Sequence, residues 1–86
     1  MSTYFTAHSK ARRDEAMSCF EHYRAAVRLI DSPDVVAGLS GVDRADIYLA
    51  QLQAAGNETV YETTLNMISS HYGISWQAIR RSGSVE

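Results

Sequence analysis

The sequence predicts an all-α domain, a small bundle of four to five helices, on three observations. Apolar residues recur at three- and four-residue steps through most of the chain, the spacing of one helical face. No stretch alternates apolar and polar residues as a half-buried strand does, and Val35-Val36 is the single adjacent pair of apolar β-branched residues. Ser, Asn and Gly stand where the periodic stretches begin and end, as helix start and stop signals do.

The first helix is expected from about residue 8 to 31. Met17, Phe20, Tyr23, Val27 and Ile30 form its apolar stripe, and Lys10, Asp14, Glu21, Arg24, Arg28 and Asp31 populate the other side. Ser32-Pro33-Asp34 then stops it and is expected to start a short second helix ending at Gly38, with Ser as N-cap and Pro at the first helical position. Ser40 opens the next helix, with Asp43 three residues on as in a capping box. Its stripe is Ala45, Tyr48, Leu49, Leu52 and Ala55, closed by Gly56. Asn57 caps a helix carrying Val60, Tyr61, Thr64, Leu65, Ile68 and Tyr72, which Gly73 ends. Ser75 caps the last short helix, Trp76 to about Arg81, and the tail from residue 83 is expected to fray.

At 86 residues the chain is read as one domain, near the size where a single core is marginal. Compactness scaling gives an expected radius of gyration of about 12 Å. Apolar content of 45% with 21% charged residues is that of an ordinary globular chain. No apolar run approaches the length of a membrane span, and the first fifteen residues lack the apolar region of a signal peptide, so a cytoplasmic protein is expected, with no membrane partner. Cys19 is the only cysteine, which precludes an intrachain disulfide. The net charge is −2; of eight basic residues, three are Lys10, Arg12 and Arg13 and two are Arg80 and Arg81.

Residues 65–84 read LNMISSHYGISWQAIRRSGS: a helical stripe, a glycine turn, and a short second helix. This stretch, about a quarter of the chain, resembles the helix-turn-helix unit of bacterial and phage repressors. Ser69 takes the small position, Gly73 the turn, and Ile68, Tyr72, Ile74 and Ile79 the locking apolar positions. The resemblance implies that Ser75, Trp76, Gln77, Arg80, Arg81 and Ser84 face the major groove of double-stranded DNA or its phosphates. Gln77 then suits adenine, and Arg80 or Arg81 suits guanine or phosphate. Ser82 and Gly83, where that pattern has a late apolar residue, make the second helix short.

Two further surfaces are candidates. Lys10, Arg12 and Arg13 sit in the first turns of a helix, where the macrodipole disfavours cations, so an anionic partner is a candidate reason for them; a solvated face is the plainer one. A first helix of about 23 residues is roughly 35 Å long, comparable with the whole domain. A homodimer through Met17, Phe20, Tyr23 and Val27 is therefore expected.

For chemistry the residues offer little. Cys19 and His22 are three apart on one helix, but no orienting acid or oxyanion donor accompanies them, and a buried thiol is expected instead. His8, His22 and His71 form no zinc motif, and no glycine-rich phosphate loop exists. No enzyme, metal or cofactor is expected. Two functions remain: a small DNA-binding transcriptional regulator, or an acidic helical module that binds and inhibits or adapts another protein, with Trp76 and the tyrosines as anchors.

Overall fold

The computed structural model describes residues 3–83, and the side chains of residue 10 and of 12–83. Four helices follow in order, α1 (Thr3–Asp31), α2 (Gly41–Ala54), α3 (Glu58–Tyr72) and α4 (Trp76–Ser82), with no strand among the described residues. The all-α bundle expected from the apolar periodicity is what forms. Residue 84 and the two after it, assigned above to the tail and in part to the DNA contacts, lie outside the described residues.

The helix ends follow the local chemistry. Ser40 and Asp43 close a reciprocal capping box: the Asp43 amide donates to Ser40 Oγ at 3.1 Å, and the Ser40 amide donates to Asp43 Oδ2 at 3.2 Å. Asn57 Oδ1 accepts from the Val60 amide at 3.1 Å, and Ser75 Oγ accepts from the Ala78 amide at 3.2 Å. Gly73 ends α3 in the left-handed conformation (φ 75°), its amide donating to Ser69 O at 2.8 Å.

The short helix expected after Pro33 does not form. Residues 32–40 make a turn instead, in which the Val36 and Leu39 backbones bond each other around Ala37 and Gly38, at φ 54° and 79°. Ser-Pro-Asp suits a turn as well as a helix start. Val35 and Val36 are left 68% and 51% exposed, so little apolar burial is there to offset the cost of nucleating a helix here. The turn is strapped down by Arg44 of α2, whose Nη2 donates to Asp34 O at 3.0 Å and Ser32 Oγ at 3.4 Å.

The core gathers Ala26 and Ile30 of α1, Val42, Ala45 and Leu49 of α2, Ile68 of α3, and Trp76 and Ile79 of α4. α1 packs against α2 and α3, while α4 packs against α2 and α3 only. The buried face of α1 is thus Cys19, Ala26 and Ile30, with Tyr23 and Leu29 at its edge. Met17 and Phe20, which the apolar stripe grouped with Tyr23 and Ile30, remain exposed at 57% and 48%. α2 starts so close to α1 that a Cβ on Gly41 would lie 2.0 Å from Leu29 O, which only glycine permits.

The radius of gyration is 15.1 Å and the molecule extends 53 × 25 × 18 Å, more elongated than the scaling expectation. The cause is α1, whose 29 residues are about twice the length of α2 or α3. Among the described residues no helix is long and apolar enough to cross a membrane.

Candidate nucleic-acid interface

The C-terminal helix pair is anchored from both sides of its turn. Before the turn, Ile68 is fully buried, and Tyr72 donates its hydroxyl to Asp31 Oδ1 at 2.7 Å, tying the end of α3 to the end of α1. Burial first, then the bond to Asp31 and its charge, push the Tyr72 pKa well above the usual 10.0. After the turn, Trp76 and Ile79 insert into the common core. Ile74, expected to lock the turn, is left exposed, and Trp76 supplies that packing instead.

This changes the expected contact set. Trp76 is only 3% exposed, so its ring is a core element and cannot reach a base edge or a phosphate. Ser75 is exposed, but its hydroxyl is engaged as the N-cap. Gln77, Arg80 and Arg81 point outward on α4, the three side chains expected there for a groove-reading helix. Together with Val42, Asp43 and Asp46 of α2 they line an open cleft of about 440 Å³. Arg80 Nε lies 3.2 Å from Asp46 Oδ1, with both side chains about half exposed. The cleft therefore carries two guanidinium groups and two carboxylates. Sequence reasoning missed Asp43 and Asp46 as members of the site, because they lie thirty or more residues before α4 and no local pattern links them.

No protein-family model, curated protein or solved structure matches this chain. The site must be read from its own geometry.

The other candidates separate from α4. Lys10, Arg12 and Arg13 are exposed on the first half of α1, and none of them lines the α4 cleft. At 3.6 residues per turn, Lys10 and Arg13 fall on the outer face of α1, and Arg12 falls in line with Cys19. Of the expected dimer contacts, Met17 and Phe20 are exposed, whereas Tyr23 and Val27 are half-buried. Tyr23 also shares a 2.7 Å hydrogen bond with His71 Nδ1 on α3.

Cys19 and His22 do not face each other as a reactive pair. The Cys19 thiol is buried and donates to Val60 O across 3.9 Å, whereas His22 Nδ1 bonds the Tyr48 hydroxyl at 2.6 Å. Burial, with the negative charge of Glu21, raises the Tyr48 pKa above its ordinary value. Among the described residues no group of His, Cys, Asp or Glu is placed to hold a metal ion.

Proposed function

We propose that this chain binds double-stranded DNA, with α4 as the helix that enters the major groove, and acts as a transcriptional regulator of the helix-turn-helix type. The observation that carries the reading is the outward row of Gln77, Arg80 and Arg81 on a Ser-capped helix that follows a left-handed glycine. Trp76 and Ile79 fix that helix to the core, so its outer side chains are presented from a rigid support. Gln77 has the donor and acceptor pair that matches adenine, and Arg81 the fork that matches guanine or phosphate.

The carboxylates beside Arg80 set its contribution. Asp46 competes with phosphate for the Arg80 guanidinium, so Arg81 contributes more to affinity than Arg80 does. Removing that competitor by Asp46→Asn is expected to tighten binding to a random duplex several-fold at low salt, because a phosphate contact is gained where an exposed ion pair was worth little. A gel shift on random duplex DNA tests the reading. Retardation by the wild type at micromolar protein, weakened by Arg81→Ala, is the expected result, and no retardation at tens of micromolar contradicts it.

A second reading, a module that binds another protein, draws on the exposed Met17 and Phe20 and on the mixed charge of the α4 cleft. Of its expected aromatic anchors, the side chain of Tyr4 lies outside the described ones. Trp76 is buried, and Tyr23, Tyr48, Tyr61 and Tyr72 are each half-buried against the bundle.

A further inference from the structure

α1 is too long for the bundle it belongs to. Its 29 residues stand beside helices of 14 and 15. Among the described side chains of α1 the first that the bundle buries is that of Cys19, and those of Lys10 and of residues 12–17 are all exposed. The described side chains from Lys10 to Met17 therefore run past the neighbouring helices, and a few turns of isolated helix are marginal in water, so a partner along this stretch would stabilise it.

The uncovered face has a heptad spacing. Residues 10, 13, 17, 20, 24, 27 and 31 follow steps of three and four, and read Lys, Arg, Met, Phe, Arg, Val and Asp. We infer that this face pairs with the same face of a second copy, antiparallel, so that residues 13–17 of each copy lie along residues 27–31 of its partner.

The register follows from complementarity. When Met17 meets Val27 of the partner subunit, Arg13 meets the partner's Asp31, and Phe20 meets the partner's Arg24. Each layer then matches: an ion pair, an apolar contact, and a cation against a ring face. Arg24 already stands over Phe20 within one chain, 5.8 Å from the ring centroid, so this guanidinium and this ring are within reach of such an exchange. A parallel pairing sets Lys10 on Lys10, Arg13 on Arg13, Arg24 on Arg24 and Asp31 on Asp31, four like-charged layers that cost stability.

A receptor for the partner's Met17 is in place. A groove of about 320 Å³ runs beside Val27, lined by Phe20, Tyr23, Arg24, Val27, Arg28 and His71. Methionine is the apolar side chain best able to fill an irregular opening of this kind. The inference stands apart from the reading of α4, because none of these residues lines the α4 cleft.

Sedimentation equilibrium of the full chain, without DNA, is expected to show a dimer at tens of micromolar that Arg24→Glu weakens at least tenfold. Orientation is tested by mixing M17C with V27C protein and adding a short bismaleimide, with wild type as the control for Cys19. A dimer-mass product from the mixture, and from neither variant alone, is the expected result. A monomer at tens of micromolar overturns the inference. So does a dimer in which M17C alone cross-links, or one in which the mixture gives no product.

Discussion

Single residues in this molecule are held by contacts that the sequence could not display. Gly41 reads as an unremarkable residue at a helix start, yet the Leu29 carbonyl occupies the space where its side chain would be. Gly41→Ala is expected to lose about 2 kcal/mol by forcing α2 away from α1, although alanine is the better helix former. A denaturant midpoint unchanged or raised would contradict that packing. Thr64 is the converse case. It is fully buried in α3, and among the described residues its hydroxyl has no hydrogen-bond partner, so the group was desolvated without compensation. Thr64→Val keeps the shape and removes that hydroxyl. We expect it to stabilise the protein by about 1 kcal/mol, a rise in Tm of several degrees for a domain of this size. A fall in Tm would mean that the hydroxyl is satisfied after all.

At the scale of elements, the caps were legible and the packing was not. Ser40, Asn57, Gly73 and Ser75 each terminate a helix where their chemistry says they should, because capping is decided within four residues. The segment after Pro33 was misread because helix and turn share the same opening residues, and tertiary burial decides between them. Trp76 was misread for a related reason. Its place on the helix suggested an outward side chain, and the core it enters is assembled from residues far away in the chain. Tyr72 joins two elements by its bond to Asp31, and this gives the fold a pH dependence. Its pKa is raised on folding, so the unfolded chain releases the proton first as pH climbs. The contribution is fully present below about pH 10 and is lost as pH rises from there through the higher folded value. Tyr72→Phe is expected to move the alkaline unfolding midpoint upward. At neutral pH the same change forfeits the Asp31 bond. An unchanged alkaline midpoint would show that Tyr72 does not govern it.

At the scale of the whole molecule, the chain is an elongated helical body, and α4 and the first half of α1 carry its two candidate contact surfaces. Four of the five expected helices were visible in the spacing of residues, and the outward Gln77, Arg80 and Arg81 were what the helix-turn-helix resemblance implied. The Asp46 carboxylate facing Arg80 was not visible, since bringing α2 beside α4 is a property of the assembled core. It also makes the net charge of −2 a poor guide, because what a polyanion meets is the local balance on α4. The central claim is that Arg80 and Arg81 neutralise DNA phosphates from α4. It is tested most directly by the salt dependence of binding to a labelled random duplex, measured for the wild type and for the Arg80→Ala, Arg81→Ala double variant. Each phosphate neutralised contributes about −0.9 to the slope of log K against log salt. The slope is expected to be shallower by about one to two in the double variant, with its fold intact. Equal slopes for the two proteins, or a wild type that does not bind at low salt, would contradict it.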